Sequence, residues 1–500
     1  MADRAALIDG IIERVSRYVT DPPTGDDAVV SLASPDELVG VFGTNVGLGF
    51  DDVAPGNSDA DVLAAVERVI DYSIHTSHPR FVNQNFAGAD PISVVGDWLG
   101  AALNTTGATF EAAPVFTMME SAVLAKLGRF AGYLSGGGDP LPRLPPGLFC
   151  AGGSMGTLFA LQLARHRHQP DVTTAGANSD RLTIFVSESG HYAAGKSAAL
   201  LGIGTDGVIK VASDHGGAMI PGELDAAIDQ AVASGRVPLA VIGTAGTTVT
   251  SAFDDLEALA DICQPRGLWL HVDGCYGGSA LFSPEQAWRL RGIERSDSMV
   301  WNLHKMMGMT QQCTALLVKD PHQLAACFAA RADYLFQSDK LYGEYDSGDR
   351  TFQCARRIDV LKLWLTWKAR GDRGFAERIE HAVKMADHTR ARIAASGGAF
   401  VPVVSGDFTN VVFAWVPPHL RPIRLDAPQA LPTAVHAELH ACAPRIKARM
   451  QADGSGMIGY QPVHGLNTFR MICMSATLQT TDVDALLDAI DAAGTETTAQ

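Results

Sequence analysis

A lysine in an apolar setting is the first residue in this sequence whose type and position suggest covalent chemistry. The segment VWNLHKMMGM, residues 300–309, places Lys305 after a β-type run and before two methionines. Burying an ammonium group is costly unless its charge is paired or removed. A desolvated lysine has a lowered pKa and becomes a nucleophile that forms an imine with an aldehyde. We therefore predict an imine-forming lysine with His304 bound to a phosphate group, although a strand-end lysine that reaches water also fits this motif alone.

An aspartate at the end of a second β-type run complements that lysine. The segment LWLHVDGCYGGS, residues 268–279, is an apolar strand pattern that ends at Asp273 and is followed by glycines. Ligands of open α/β sheets bind at the carboxyl ends of the strands, where a buried aspartate needs a cation. The protonated pyridine nitrogen of pyridoxal phosphate (PLP) is such a cation, and keeping it protonated makes the ring an electron sink. An aspartate that caps a helix or a turn is the alternative for this motif alone.

A glycine-rich turn before a helix offers a place for the phosphate. The segment FCAGGSMGTLFALQLARHR, residues 149–167, places Gly152, Gly153 and Ser154 before apolar positions at helical spacing. Unpaired backbone N–H groups and the positive end of the helix dipole bind phosphate at such a position. Many plain turns share the Gly-Gly-Ser pattern, so the segment gains meaning only beside the other motifs.

Two further strand ends carry side chains suited to the ring of the cofactor. In residues 187–202, His191 follows a strand and can stack on a planar ring, although a structural histidine also fits. In residues 241–256, Thr244 and Thr247 stand where a hydroxyl can meet the phenolate oxygen of the ring. Each signal is modest by itself. Their order along the chain (phosphate turn, histidine, threonines, aspartate, lysine) predicts one PLP site.

Alternating strands and helices supply the elements that must position these residues. Between about His78 and Gly371 the alternation predicts a mostly parallel sheet covered by helices on both faces. The β-type runs are residues 182–187, 208–212, 239–243, 268–273, 299–302 and 315–319. We predict three regions, which are a helical arm over residues 1–77 that packs on another subunit, a PLP-binding domain over 78–371, and a small α+β domain over 372–500.

Composition and charge argue against several other classes of protein. The formal net charge is −16 and no dense Lys/Arg run occurs, which disfavours nucleic-acid binding. The N-terminal residues lack the apolar core of a signal peptide, and no apolar run approaches the roughly 18 residues of a membrane span. Eight scattered cysteines without metal-type spacing suit reduced thiols, so we expect a cytoplasmic protein without a bound metal.

The sequence resembles the group II PLP-dependent decarboxylases, and most closely the glutamate decarboxylase and cysteine sulfinate decarboxylase branch of that family. The likeness extends from about residue 5 to about residue 493. Its most specific blocks are HPRFVNQNFAGAD (78–90), FEAAPVFTMME (110–120), TAGTTVTSAFD (244–254), LWLHVDGCYGG (268–278), GIERSDSMVWNLHKMMGMTQQC (292–313), YLFQSDKLY (334–342), GDRTFQCARRIDVLKLWLTWKARG (348–371) and FRMICMS (469–475). The resemblance implies fold type I of the PLP-dependent transferases, with a mostly parallel seven-stranded sheet, and an enzyme that removes the α-carboxylate of an amino acid.

The resemblance also assigns a role to each motif by position. It implies that Lys305 binds the aldehyde of PLP, that Asp273 contacts the pyridine nitrogen, and that His191 stacks on the ring. The residues that it places at the phosphate or at the ring oxygen are Gly153, Ser154, His304 and Thr247.

The same resemblance implies a homodimer with the active site at the subunit interface. The polar loop 333–349 would reach into the partner's site with Tyr342 at its tip. Tyr345 competes for that position, because the loop looks one residue shorter than in the animal glutamate enzymes. A tyrosine there supplies a proton to Cα and yields an amine. Its presence favours simple decarboxylation over aldehyde synthesis.

The substrate class depends on a separate set of residues. Gln84 and Arg470 match residues that contact the substrate carboxylate in the acidic branch, and Phe86 resembles the cysteine sulfinate enzymes. A planar guanidinium suits a bidentate carboxylate or sulfinate, although Arg470 also fits a structural salt bridge. The further residues assigned to the substrate are Thr106 and Cys354. We predict decarboxylation of a small acidic amino acid, which is glutamate, aspartate, cysteine sulfinate or an isostere with a sulfonate or phosphonate.

Two departures from the family pattern leave other functions open. Residues 106–108 are Thr-Gly-Ala where glutamate decarboxylases have Asn-Met-Phe, so the pocket should be wider unless a residue such as Asn85 fills it. Gly274 and Cys275 replace the usual alanine pair, which could change the tilt of the ring. The alternatives are a decarboxylase of aromatic or other larger amino acids, a decarboxylating aldehyde synthase or aminotransferase, and a PLP-fold protein that only binds.

Overall fold

The computed structural model of the protein describes residues 4–25, 27–43, 46–48, 57–177, 181–337 and 339–498. Contacts between Cα atoms group the chain into two units. The core unit comprises Ile92–Lys384 and Val404–Asn410, and the terminal unit comprises Met1–Pro91, Met385–Val403 and Val411–Gln500. Our division into regions 1–77, 78–371 and 372–500 stays a prediction.

The regular structure of the described residues consists of α-helices, short 3-10 turns and two β-sheets. The helices are α1 (Ala5–Thr20), α2 (Pro35–Phe42), α3 (Asp59–Asp71), α4 (Pro91–Leu103), α5 (Pro114–Phe130), α6 (Gly153–His168), α7 (Val172–Ala175), α8 (Ala193–Leu200), α9 (Pro221–Ala233), α10 (Leu256–Cys263), α11 (His322–Phe328), α12 (Val360–Ala394), α13 (Thr433–Asp453) and α14 (Thr480–Thr498). Helical geometry within α12 is interrupted at Gly371, whose φ is +68°. The strands are β1 (Phe81–Val82), β2 (Gly147–Cys150), β3 (Leu182–Ser187), β4 (Val208–Val211), β5 (Val237–Thr244), β6 (Trp269–Asp273), β7 (Ser298–Asn302), β8 (Thr314–Val318), β9 (Phe400–Pro402), β10 (Asn410–Trp415), β11 (Met457–Val463) and β12 (Leu466–Ile472).

The core unit contains a seven-stranded sheet in the order β2-β8-β7-β6-β5-β3-β4. The five strands from β7 to β4 run parallel, whereas β8 is antiparallel to both β7 and β2. Every residue of β3 and β7 is buried, as expected for parallel strands covered on both faces. On one face, Phe159 and Leu163 of α6 pack in the same core cluster as Ile184 and Ile242 of the sheet. The predicted mostly parallel seven-stranded sheet is confirmed.

Polar residues terminate four neighbouring parallel strands of this sheet. The last residues of β3, β5, β6 and β7 are Ser187, Thr244, Asp273 and Asn302. Thr244 lies opposite Asp273 in the register, so the strands end at nearly the same level. Because the carboxyl ends of parallel strands lie at one edge of a sheet, the loops that follow them converge there.

The terminal unit contains a five-stranded sheet in the order β1-β11-β12-β10-β9. Strands β11 and β12 are antiparallel, with Gly459 opposite Arg470, and β1 runs parallel to β11. Apolar side chains of the sheet, such as Phe413 and Phe469, share one core cluster with Ile446 of α13. The expected smaller α+β fold near the C-terminus is confirmed.

The N-terminal helices α1 to α3 belong to the terminal unit. Ser34 and Glu37 form a capping box that begins α2, and Arg14 of α1 forms an ion pair with Glu67 of α3 at 2.7 Å. Their packing on another subunit stays a prediction. None of the helices described is both long and apolar enough to cross a membrane.

Candidate active site

A cavity of about 440 Å³ lies at the carboxyl ends of the central strands of the core unit. This volume lies within the range of ordinary small-molecule sites. The cavity brings together eight of the residues that the sequence singled out, namely Gly152, Gly153, Ser154, His191, Thr244, Asp273, His304 and Lys305. These residues come from segments that are far apart in the sequence, so their convergence depends on the sheet.

The turn between β2 and α6 forms one wall of the cavity. Gly152 has a φ of +87°, a conformation that favours glycine. A side chain at Gly153 would collide with the sulfur of Cys275. Both glycines therefore bring backbone close to the cavity, where the first amides of α6 lack intrahelical partners and the positive end of the helix attracts an anion. These features fit a phosphate group.

His304 is held by the backbone of one residue at the same cavity. Its Nδ1 lies 3.0 Å from both the amide nitrogen and the carbonyl oxygen of Cys313, which fixes the ring. Burial lowers the pKa of His304 to about 4, so the ring is uncharged at neutral pH. In the tautomer whose Nδ1 accepts from the amide of Cys313, the neutral ring has a free Nε2–H that can donate to a phosphate oxygen.

Asp273 ends β6 and carries a carboxylate into the cavity. Its Oδ1 accepts a hydrogen bond from the amide of Cys275 at 3.1 Å, which fixes one oxygen. A side chain at Gly274 would lie 2.5 Å from Cε of Met299 and 3.2 Å from the carbonyl of Val300. An alanine at this position would therefore require the end of the Met299 side chain to shift. Burial raises the pKa of Cys275 well above its ordinary value, so the thiol adds no charge beside the carboxylate.

Lys305 stands on a tight turn that follows β7. Its amide donates to the carbonyl of Asn302 at 3.2 Å, and its own carbonyl accepts from the amide of Gly308 at 3.1 Å. The two methionines after it are 1% exposed each, so they anchor the turn in the interior. Arg378 donates to the carbonyl of Met306 at 2.7 Å and supports the turn from below. The amine thus reaches the cavity from a fixed backbone.

His191 lies in the loop between β3 and α8. The amide of Ala193 donates to its Nδ1 at 3.2 Å. Burial is the main effect on this ring and lowers its pKa, while the charge of Asp273 partly opposes the shift and that of Lys305 adds to it. The imidazole is therefore neutral and fixed in orientation, as stacking on a planar ring requires. Asp273 and Lys305 line the same cavity as His191.

The two threonines of the β5 loop differ in what their hydroxyls contact. The hydroxyl of Thr244 lines the cavity, is buried, and has no hydrogen-bond partner among the described residues. Such an orphaned group indicates space for a polar ligand atom. Thr247 does not line the cavity, because its hydroxyl contacts that of Thr250 at 2.7 Å and accepts from the amide of Ala252 at 3.0 Å. A contact between Thr247 and the ring oxygen stays a prediction.

Sequence reasoning missed several residues of this wall. Asn302 lines the cavity, and its Oδ1 accepts from the hydroxyl of Thr314 at 2.9 Å. The signal that could have found it is its place as the last residue of a buried strand, three positions before Lys305. Tyr192, Gln311 and Gln312 also line the cavity and were not predicted.

The two candidate tyrosines lie outside this cavity. Tyr342 has a φ of +59° and is 57% exposed, and its ring centre lies 5.2 Å from that of Phe110. Tyr345 packs on the same phenylalanine, with its ring centre 5.7 Å from that of Phe110. Neither lines the cavity of its own chain. The proton-donor role of Tyr342 or Tyr345 in a partner's site stays a prediction.

Thr106 and Cys354 lie together elsewhere in the core unit. The hydroxyl of Thr106 donates to the carbonyl of Cys354 at 3.4 Å and accepts from the amide of Arg356 at 3.0 Å. The carbonyl of Gly107 accepts from Arg356 and from Ser347, each at 2.7 Å. The Thr-Gly-Ala segment, which differs from the family pattern, is thus held by hydrogen bonds that include its backbone. The assignment of Thr106 and Cys354 to the substrate stays a prediction.

The other predicted substrate residues belong to the terminal unit. Arg470 donates through Nη2 to the carbonyl of Asn83 at 2.9 Å. Gln84 follows directly and is exposed. Phe86 packs against the small apolar cluster of the β1 segment, with its ring centre 5.8 Å from that of Phe81. Arg470, Gln84 and Phe86 therefore share one unit.

Comparisons with known proteins identify the family to which the chain belongs. A family model described as "Pyridoxal-dependent decarboxylase conserved domain" matches residues 48–416. Human "Cysteine sulfinic acid decarboxylase" is 43% identical over 444 residues, which cover 88% of this chain and 87% of the human one. Bovine "Acidic amino acid decarboxylase GADL1" is 43% identical over 437 residues, which cover 87% of this chain and 81% of the bovine one. The crystal structure of mouse CSAD superposes with a TM-score of 0.90 at 39% identity and covers 98% of both chains. The chain therefore belongs to the pyridoxal-dependent decarboxylase family, and it is an enzyme that uses PLP to decarboxylate an amino acid.

Proposed function

We propose that this enzyme removes the α-carboxylate of a small acidic L-amino acid, such as cysteine sulfinate, aspartate or glutamate. The cavity that holds Lys305 and Asp273 provides the means for the decarboxylation. The similarity to two relatives whose names give cysteine sulfinic acid and acidic amino acids as substrates carries the choice of substrate class. The residue that we assign to the acidic group is Arg470.

The residues of the cavity fit the parts of PLP. Lys305 would hold the aldehyde carbon and Asp273 the pyridine nitrogen. His304 and the first amides of α6 would hold the phosphate. When bound, PLP supplies an electron sink for the electron pair that the departing carboxylate leaves behind. Asp273 supports that function because its negative charge favours a protonated ring nitrogen, and the neutral ring of His191 covers the site without adding charge.

After the carboxylate leaves, Cα must receive a proton, and in a homodimer the partner subunit can supply the group that donates it. We infer that loop 333–349 of one protomer serves the site of the other, with Tyr342 as proton donor. The exposure of Tyr342 and its absence from the cavity of its own chain support this assignment. We place the enzyme in the cytoplasm, which suits its eight free thiols.

A substrate screen with the purified, PLP-loaded enzyme tests the proposed function. Release of carbon dioxide and the matching amine is measured for cysteine sulfinate, aspartate and glutamate and, in parallel, for tyrosine and tryptophan. We expect turnover of acidic substrates and none of aromatic ones. Turnover of aromatic substrates alone would overturn the acidic class. Keto acid as the main product would instead identify an aminotransferase, and aldehyde with peroxide an aldehyde synthase.

A pair of variants at Arg470 sharpens the screen. Arg470→Gln removes the charge but keeps a polar group, whereas Arg470→Lys keeps the charge and loses the planar fork. We expect the KM of the best acidic substrate to rise in both variants, and more in Arg470→Gln. An unchanged KM in both would remove Arg470 from substrate recognition.

A further inference from the structure

Two basic side chains of the terminal unit converge on one asparagine. Arg470 donates to the backbone carbonyl of Asn83 at 2.9 Å, and the ammonium of Lys447 donates to its side-chain Oδ1 at 3.1 Å. Asn83 is 8% exposed and directly precedes Gln84. The name "basic corner" is used below for Asn83, Lys447, Gly459 and Arg470.

Four elements of the terminal unit build the basic corner. Asn83 follows the end of β1, Lys447 lies on α13, and Arg470 on β12 is opposite Gly459 on β11. A side chain at Gly459 would lie 2.9 Å from the Asn83 carbonyl and 3.5 Å from Nη2 of Arg470. Glycine at this position therefore allows the asparagine and the guanidinium to meet.

The charges of the basic corner have the same sign. Burial lowers the pKa of Lys447, and the positive charge of Arg470 lowers it further. Within the described part of the chain, Lys447 forms no ion pair, since its ammonium contacts Asn83 and lies 5.7 Å from the ring centre of Tyr460. Two neighbouring cations, one of them without a carboxylate of the protein to balance it, favour an anionic ligand.

We propose that Lys447 is a positioning residue for the acidic group of the substrate. Its ammonium fixes the side chain of Asn83. The backbone of Asn83 is thereby fixed as well, and its carbonyl orients Arg470 just before the chain continues into Gln84. Its charge adds to that of Arg470 and strengthens the attraction for an anion. This inference rests on the proposed acidic substrate and adds to it the residues that hold the recognition groups in place.

The first test compares Lys447→Met with two matched variants. We expect Lys447→Met to raise the KM of the best acidic substrate about tenfold, because a charge-assisted hydrogen bond is lost, and to leave kcat within about twofold. Lys447→Arg should recover most of the loss. Arg445→Met removes the same charge from an exposed position of α13 and should leave KM unchanged.

A double-mutant cycle tests the route through Asn83. Asn83→Leu removes the acceptor of Lys447 but keeps the backbone carbonyl that holds Arg470. If Lys447 acts through Asn83, the effects of the two substitutions do not add. The double variant Asn83→Leu with Lys447→Met then binds the substrate no worse than whichever single variant binds it more weakly. Glutarate, a dicarboxylate without the reacting amine, gives a second readout, since its Kd should rise in parallel with KM.

The outcomes separate this inference from the proposed function. An unchanged KM and glutarate Kd in a folded Lys447→Met enzyme overturn it, and so does an equal effect of Arg445→Met. Multiplicative effects in the cycle overturn the route through Asn83. If Lys447→Met does not fold, Asn83→Leu alone decides, because it must raise the glutarate Kd. If the wild-type enzyme decarboxylates no acidic substrate, the proposed function is overturned. The glutarate measurements then decide this inference separately, and a wild-type enzyme that does not bind glutarate overturns it.

Discussion

The cofactor cavity of the core unit and the basic corner of the terminal unit are built by different means. In the cavity, Asp273 ends a parallel strand, and His191 and Lys305 follow neighbouring parallel strands. In the basic corner, Lys447 and Arg470 meet at one asparagine through hydrogen bonds that join distant segments. The cavity contains charges of both signs, whereas the corner gathers two cations.

Under the proposed function, this difference separates the chemistry of the enzyme from its selectivity. The sheet fixes the groups that would hold PLP, so their positions cannot change without moving strands that are fully buried. The basic corner depends on single hydrogen bonds, which one substitution can remove. Changes in the cavity should therefore abolish turnover or destabilise the fold, while changes in the corner should alter KM.

The largest effect is expected at Lys305. Lys305→Ala should reduce carbon dioxide release by at least about a thousandfold, because the covalent attachment of the cofactor is lost. Borohydride reduction followed by peptide mass analysis should fix the vitamin on position 305 of the wild type and nowhere in the variant. Lys319→Ala, at an exposed lysine after β8, is the control and should retain both activity and labelling. Labelling of another lysine in wild-type enzyme would break the assignment of the cavity.

A smaller loss, with a change of product, is expected at the loop tyrosine. Tyr342→Phe should reduce amine formation about a hundredfold, the usual contribution of a general acid. Part of the remaining flux should appear as aldehyde when the assay is run in air. Amine, aldehyde and peroxide are measured together. Tyr345→Phe is the matched control, and a product change in that variant alone would assign the proton to Tyr345.

The strands were predictable because their signal is local and hydrophobic. The run 182–187 coincides with β3, and the other five runs agree with β4 to β8 within two residues at either end. Strand β2 was missed because it begins with Gly147 at a φ of +148°, which leaves only three residues for a β-type run before the glycine-rich turn. Strand–helix alternation carries no information about such an edge strand.

The residues of the cavity could be predicted from the sequence, whereas those of the basic corner could not. A residue that follows a buried parallel strand is placed at the site by topology alone, which is why Asp273 and Lys305 could be chosen from the sequence. The contact between Asn83 and Lys447 joins positions 364 residues apart. Neither position has a local pattern that indicates the other. Only the packing of α13 and β1 in one unit shows the pair.

A moderate effect on stability is expected at the phosphate turn. Gly153→Ala places a methyl group against the sulfur of Cys275, and such overpacking costs about 1–3 kcal/mol of unfolding free energy. Adding Cys275→Ala should recover part of that loss by removing the sulfur. Gly136→Ala, at a glycine with nothing within 4 Å of the added atom, is the control. The free energies come from urea unfolding, and equal values for both glycine variants would contradict the close approach in the cavity.

The smallest effect concerns acid stability and comes from a histidine behind the cavity. Nδ1 of His271 lies 2.9 Å from the hydroxyl of Ser298, and that hydroxyl also accepts from Trp269 at 2.9 Å. Burial lowers the pKa of His271 to about 4, so the unfolded chain takes up a proton near pH 6.5 while the folded one does not. This contribution to stability is complete above pH 6.5 and is lost as the pH falls toward 4, by at most about 1.4 kcal/mol per pH unit.

His271→Asn should therefore reduce the slope of unfolding free energy against pH between pH 6.5 and 4, because the amide keeps a hydrogen bond with the hydroxyl of Ser298 but does not titrate. The slope is obtained from urea unfolding at several pH values in that interval. His168→Asn, at an exposed histidine of α6, is the control and should leave the slope as it is in the wild type. His304 contributes to the slope in the same direction, because its pKa in the folded protein is also about 4. The His271 variant should therefore retain part of the slope. A slope unchanged by His271→Asn would mean that the acid sensitivity does not arise from His271, and it would weaken the contrast between a cavity supported by uncharged rings and a corner built from cations.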